Sequence, residues 1–371
     1  MNTRQVLLKI HLLVGCIAAP FLFVVGTSGA LVVFEEPYTD GVANASLTHV
    51  TPGAALLSLD AMRDSIRTAI PDAEVRAIGF HSEFRNTYAV SVVTPKVVKL
   101  RTMYVDPWRG HIVGDETTAR RPLRWAHTLH TRLLIDPDGK RVVGWTAVAL
   151  VILSLSGLWL WWPGKIVTVR RSASNRRQIF ELHNTLGALS WVFLLILGVT
   201  GVVVHWEDGS AAMIRTISGA ALPAAQLKAT QTCATQSLAS LDVIRRNIND
   251  AAPGAYATSI QFGDKPTDYA MARMRFPEDK TPAGRTLVLA DRCTGRVVWT
   301  LSTRTAPLQY RITRMWNRSV HTGDLWGWPT RILALIVALL LPVMALTGPM
   351  IWWSRRANRA RYNSTPGAVS T

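Results

Sequence analysis

The sequence predicts an integral membrane α-helical protein of four transmembrane helices in a pseudo-twofold repeat, with two outer α+β units set between them. Three observations predict it. Four apolar runs, 6–34, 142–162, 180–206 and 328–353, each reach the roughly 20 residues that about 30 Å of hydrocarbon requires. Basic residues crowd at one end of every run. The second half of the chain repeats the first.

The first run resembles a secretory signal, but it exceeds the usual core of about 7 to 15 residues and is followed by Phe34-Glu35-Glu36 instead of a small-residue cleavage site. It is read as a retained span. The insert 36–140 follows. LLSLDAMRDSIRTAIPDA has a helical period, and VRAIGF, TYAVSVVT and RTMYVDPWRGHIV read as strands. The second span closes on Trp161-Trp162, which suits an interfacial anchor. A basic loop, 163–179, carries Lys165, Arg170, Arg171, Arg176 and Arg177 into the third span. In the insert 207–326, LASLDVIRRNINDAAPGA supplies the helix and ATSIQF, YAMARMRF, RTLVLADRC and GRVVWT the strands. The fourth span ends at Trp352-Trp353, before a basic tail, 354–371.

Arg4, Lys9, the basic loop and the tail lie on one side, so both termini are expected in the cytoplasm and both inserts in the periplasm of a bacterial inner membrane. The net charge of +17 is then mainly topological. The lipid bilayer is the expected partner and nucleic acid is not. Of three cysteines, Cys16 lies in the first span, while Cys233 and Cys293 share the second insert, where an oxidising compartment permits a disulfide.

Aligning His11 with His183 superimposes Gly15 on Gly187, Phe21 on Phe193, Gly26 on Gly198, Gly29 on Gly201 and Glu35 on Glu207. Aligning His130 with His321 superimposes Trp125 on Trp316, Thr131 on Thr322, Gly157 on Gly348 and the two Trp-Trp pairs. VDPWRGHIV matches ADRCTGRVV, an Asp-x-x-x-Gly turn between strands. Both halves enter the membrane in the same direction, so the repeat axis is expected along the membrane normal.

His183, Gly187, Gly198, Gly201 and His205 fall within about 60° of one another on a helix, and His11, Gly15, Gly26 and Gly29 repeat that stripe. An imidazole beside a side-chain-free surface suits a planar ligand, and two imidazoles facing across an axis suit a six-coordinate iron porphyrin. Glycine stripes also serve helix packing, but ionisable side chains recurring at equivalent depth in a bilayer favour a functional reading. Haem is therefore the expected cofactor. His127, one turn before His130, and His205 are further candidates at the outer end. His183 and His205 lie 22 residues apart, about 33 Å of helix, so two haems are expected.

No Gly-rich nucleotide loop, hydrolytic triad, HExxH or paired-cysteine motif stands out, so catalytic side chains are not assigned and electrons must come from outside the chain. Arg120, Arg121, Arg124, Arg132, Arg311, Arg314 and Arg318 lie on the outer side, against the positive-inside trend, and suit propionates, an anionic chelate or lipid phosphates.

DPWRG, HTLH before a Trp-rich span, and ELHNTLG opening the third span together resemble the PepSY-associated transmembrane family over nearly the whole chain. The closest resemblance within it is to inner-membrane ferrisiderophore reductases. That resemblance implies PepSY-like outer units and two b-type haems. It implies His11, His130, His183 and His321 as iron ligands, with His127 and His205 as alternatives at the outer haem, whose pairing stays open. It implies a membrane quinol or partner reductase as electron donor and a periplasmic ferric siderophore as acceptor, releasing Fe(II). Other readings are a haem electron-transfer protein with a different acceptor, a cofactor-free regulator of a periplasmic peptidase, and a transporter subunit.

Overall fold

The structure is a computed structural model that describes residues 2–94, 97–116, 120–165, 167–219, 238–263 and 269–364. The chain divides into two compact units. One is Met1–Val33, Arg124–Asp208 and Val320–Thr371; the other is Phe34–Leu123 and Gly209–Ser319.

The first unit is a helical bundle. Its four long helices, Thr3–Val32, Asp138–Trp161, Asn175–His205 and Trp328–Ser364, each contain a stretch long and apolar enough to cross a membrane, which makes this a multi-pass membrane protein. They are the first to fourth spans below. Asn2 and Gln5 form a capping box at the start of the first span. Within the spans, Ser and Thr hydroxyls bond back to carbonyls one turn earlier, as Ser154 does to Leu150 and Ser190 to Leu186, which satisfies those protons in hydrocarbon. At mid-height Ala18, Ala19, Leu22, Leu150, Leu194, Val337, Leu341 and Ala345 form one packed apolar layer contributed by all four spans.

The second unit is an antiparallel sheet with two eleven-residue helices packed on one face. Its strands are β1 (Glu74–Gly79), β2 (Tyr88–Thr94), β3 (Val97–Val105), β4 (Ile112–Asp115), β5 (Tyr256–Phe262), β6 (Ala270–Arg275), β7 (Thr286–Ala290) and β8 (Val297–Leu301). Their order is β4-β3-β2-β1-β5-β6-β7-β8. Alternate residues of β6 and β7 are buried, the period that a half-covered sheet imposes. The inserts therefore do not stand as two separate sheets: β1 and β5 pair antiparallel, with Ile78 opposite Ile260, and fuse them. Pairing satisfies the backbone of both inner edges at once.

The helices Leu59–Ala69 and Leu241–Ala251 cover this sheet and share its core through Met62, Ile66, Ile244 and Ile248. Each starts with Ser-Leu-Asp, and each aspartate caps the other helix. Asp242 accepts from the backbone N–H groups of Leu59 and Asp60 at 2.8 and 3.1 Å, and Asp60 from those of Leu241 and Asp242 at 3.2 Å each. The two Asp-x-x-x-Gly turns form as read. Asp106 accepts from the N–H of Trp108 and Arg109, Asp291 from the N–H of Cys293 and Thr294, and Gly110 and Gly295 adopt positive φ. Cys293 is disulfide-bonded, Cys16 is a free thiol, and Cys233 lies outside the described residues.

Candidate functional site

Four histidines of the bundle reach across to a neighbouring span, each through Nδ1. His11 Nδ1 lies 2.8 Å from Ser156 Oγ, and His183 Nδ1 lies 2.8 Å from Thr347 Oγ1. His321 Nδ1 lies 2.9 Å from Thr200 Oγ1, and His130 Nδ1 lies 2.9 Å from the Val25 carbonyl oxygen.

The polarity of these bonds follows from what the acceptors do elsewhere. Ser156 donates to the Ile152 carbonyl at 2.6 Å, Thr347 to Val343 at 2.9 Å and Thr200 to Ile196 at 2.7 Å. A hydroxyl has one proton to give, so each of these must accept from its imidazole; a carbonyl can only accept. All four neutral rings are thereby fixed as Nδ1–H tautomers with the lone pair on Nε2. That is the arrangement of a metal-ligating histidine held from behind by a hydrogen-bond acceptor.

The histidines gather two and two. His11 and His183 line a cavity of about 500 Å³ at the bundle end that carries the N-terminus, a volume usual for a cofactor site. Gly15 and Gly187 line it too, as do Gly157 and Gly348. A Cβ built on Gly157 would lie 3.2 Å from His11 Cε1, and one on Gly348 would lie 3.6 Å from His183 Cε1, so each ring rests against a bare stretch of the adjoining span. Among the described residues lining this cavity, Arg4 carries the fixed charge.

At the opposite end the ring centres of His130 and His321 stand 6.3 Å apart at 44°. Two metal–nitrogen bonds of about 2.0 Å, with each ring centre about 1.2 Å behind its nitrogen, span about 6.4 Å. The pair is spaced to share one metal. Among the described residues no three His, Cys, Asp or Glu side chains converge as a metal cluster; a porphyrin iron asks the protein for two axial nitrogens. By donor chemistry and tautomer both pairs fit haem, and the cavity at His11 and His183 offers the space for one.

The levels are well separated. His11 and Val25 are 14 residues apart, about 21 Å of helix, and His183 and Thr200 are 17 apart, about 26 Å. The packed leucine and alanine layer lies between them.

Other expected residues fall differently. Gly26 is pressed against Leu341 and Pro342 of the fourth span, with a built Cβ 3.0 Å from Pro342 Cδ, and Gly198 against Val151 of the second, with a built Cβ 2.9 Å from Cγ2. These two glycines let helices touch and do not face a ligand; here the packing role wins, because any Cβ would part the spans. Gly29 lies under the His130 ring, while Gly201 lies against Ala147, with His321 further off. His205 packs flat on Gly144 and edge-on to Trp206, with ring centres 4.3 Å apart, away from a histidine partner of its own. His127 is half-buried one turn before His130. Of the outer arginines, Arg132 pairs with Asp136 and Arg311 stacks on Trp316, while the side chains of Arg120 and Arg121 lie outside the described residues. Glu181, buried at the start of the third span, ties down the basic loop: Arg170 donates to it from its backbone N–H at 2.9 Å and from Nη2 at 2.6 Å, and Arg177 from Nε at 2.7 Å.

Ser156, Thr347 and Thr200, which hold three of these rings, are the candidate site residues that the sequence reading did not single out. Their signal was present in the repeat: Ser156-Gly157 aligns with Thr347-Gly348.

Comparison with curated proteins finds no match to this chain. A family model, described as the PepSY-associated TM region, matches residues 8–355, which takes in all four histidines, the three hydroxyls and all eight strands; the chain belongs to that family.

Proposed function

We propose that this protein is an inner-membrane reductase that carries two b-type haems and passes electrons outward to a periplasmic ferric siderophore, releasing Fe(II). The observation that carries the reading is the set of four Nδ1–H histidines grouped as His11 with His183 and His130 with His321, at two levels of one bundle. Haem, when bound, supplies a one-electron iron couple.

The chain's own residues do the rest. His11 and His183 would hold the iron of one haem, and Arg4 offers a guanidinium for a propionate at the cavity mouth. His130 and His321 would hold the other. The packed apolar layer lies between the two levels. The basic loop held by Glu181, with Arg4 and Lys9, sets the N-terminal end in the cytoplasm, where a quinol or partner reductase donates. The substrate needs only charge: siderophore oxygen donors are hard ligands that favour Fe(III), so reduction loosens the complex.

The test uses purified protein and sealed vesicles of known orientation. The protein should be red, with a low-spin bis-histidine spectrum and near two haems per chain, and His11→Ala and His183→Ala should remove the same haem. Reduced protein should be reoxidised by a membrane-impermeant ferric hydroxamate on the outer side only, with a ferrous trap counting released iron. Reoxidation from the cytoplasmic side alone, or by oxygen and not by the chelate, points to a haem protein with another acceptor. A colourless protein from haem-replete cells points to a cofactor-free regulator.

A further inference from the structure

We infer that the hydroxyls of Ser156, Thr347 and Thr200 are positioning residues that set the reduction potential of the haem iron on their side of the membrane. The inference rests on the haem reading above. Three features carry it. Each hydroxyl sits on the span next to its histidine, so the bond fixes the imidazole from a second, independent helix. Each is itself a donor to a carbonyl one turn back, at 2.6, 2.9 and 2.7 Å, which polarises its oxygen and strengthens it as an acceptor. An acceptor on Nδ1–H also makes Nε2 more basic, and a more basic ligand favours Fe(III) over Fe(II). The hydroxyls therefore hold the potential down, and removing one raises it.

The repeat is unequal in a way that makes the inference specific. The proximal pair, His11 and His183, leans on two side-chain hydroxyls. In the distal pair His321 does, whereas His130 Nδ1 leans on the Val25 carbonyl, which no side-chain substitution deletes. Ser28, which aligns with Thr200, makes the same bonds one turn back, to the carbonyls of Val24 and Val25 at 2.6 and 3.2 Å, but it is the Val25 carbonyl that meets the His130 ring. Among the described residues, the Nδ1 acceptors at one site are thus two side-chain hydroxyls and at the other one hydroxyl and one backbone carbonyl.

The test is a redox titration of the full chain with its haems bound, followed in the visible spectrum. Ser156→Ala and Thr347→Val should raise the same midpoint component, each changing the Fe(III)/Fe(II) ratio at a fixed potential by about threefold to tenfold, which is roughly 30 to 60 mV for one electron. Thr200→Val should raise the other component. Ser190→Ala, which removes a buried hydroxyl that bonds the Leu186 carbonyl, should move neither. Ser156→Thr and Thr347→Ser, each installing the hydroxyl found at the repeat-related position, should keep wild-type potentials and haem content. If Ser156→Ala sheds a haem, its return in Ser156→Thr supports the inference and its absence there overturns it. A red, two-haem wild type whose potentials ignore all three substitutions overturns this inference alone. A colourless wild type overturns the haem reading and this inference with it.

Discussion

Gly29→Ala is a one-carbon change whose cost can be worked out from the distal pair. A Cβ built on Gly29 lies 2.9 Å from Cε1 and 3.0 Å from Nδ1 of His130. Ordinary carbon contacts sit at about 3.5 to 4.0 Å, so the ring must retreat by roughly 0.6 Å. The ring is also tied to the Val25 carbonyl at 2.9 Å, four residues along the same helix face. Retreat stretches that bond to about 3.5 Å, beyond its useful range, at a cost of about 1 kcal/mol, with overpacking adding about 1 to 3 kcal/mol. A ligand site tolerates errors of about 0.2 Å, so His130 should be lost as a ligand. Gly201 is the repeat-related glycine, yet its Cβ would meet Ala147 at 3.1 Å and His321 only at 3.7 Å. Gly201→Ala should therefore spare the ligand and loosen the helix pair. The assay is haem per chain by pyridine haemochrome, with electron paramagnetic resonance for spin state. Gly29→Ala should fall from near two haems towards one, or convert one to high spin, while Gly201→Ala keeps both low-spin. Two unaltered low-spin haems in Gly29→Ala would refute the placement of His130 as an iron ligand.

Three further outcomes follow from the same geometry. Burial raises the Asp60 carboxyl, but the Ser240 hydroxyl and the N–H groups of Asp242 and Leu241 outweigh it and hold the group below its usual range. Its contribution is thus present above the unfolded carboxylate pKa of about 4 and is lost as pH falls through the lower folded value; Asp60→Asn should cost about 1 kcal/mol at neutral pH and flatten acid unfolding measured by circular dichroism. Asp106 behaves alike: burial opposes ionisation, while the N–H groups of Trp108 and Arg109 and the Arg109 guanidinium lower its pKa overall, so Asp106→Ala should shift the same acid transition, and an unchanged transition would refute the turn's role. Glu181→Gln should release the basic loop, seen as faster tryptic cleavage at Arg170 and Arg171 in detergent, with the haem spectrum unchanged.

The spans were legible because bilayer thickness writes itself into the sequence as run length, and the helix and strands of each insert because one buried face imposes a period. The four histidines stood out because the duplication repeats two of them, His11 as His183 and His130 as His321. The β1–β5 junction was not: Ile78 and Ile260 are 182 residues apart, and no local pattern records which edge strand meets which. The glycine stripe was seen but its uses were not separable, since Gly15 facing a cavity and Gly26 facing Pro342 look alike one helix at a time. Pairing His130 with His321 also needed the neighbouring helices, because ring separation is set by span crossing and not by spacing along either chain segment.

The layer built from Leu22, Leu150, Leu194 and Leu341 has a consequence for the voltage the cell maintains. Side chains 5 to 7 % exposed make this an apolar layer, in which an unpaired proton or metal ion is costly. An electron is not, because it tunnels and needs no opening. The histidine levels are about 21 to 26 Å apart along the spans, most of the roughly 30 Å over which the transmembrane potential falls. Moving one elementary charge through the whole drop is worth about 2.3 kcal/mol per 100 mV. In an energised cell the interior is negative, so a negative charge sent outward runs down that gradient. On the proposed function, the bundle would block the ions that discharge the membrane while the membrane's own voltage drives the electron to the outer face.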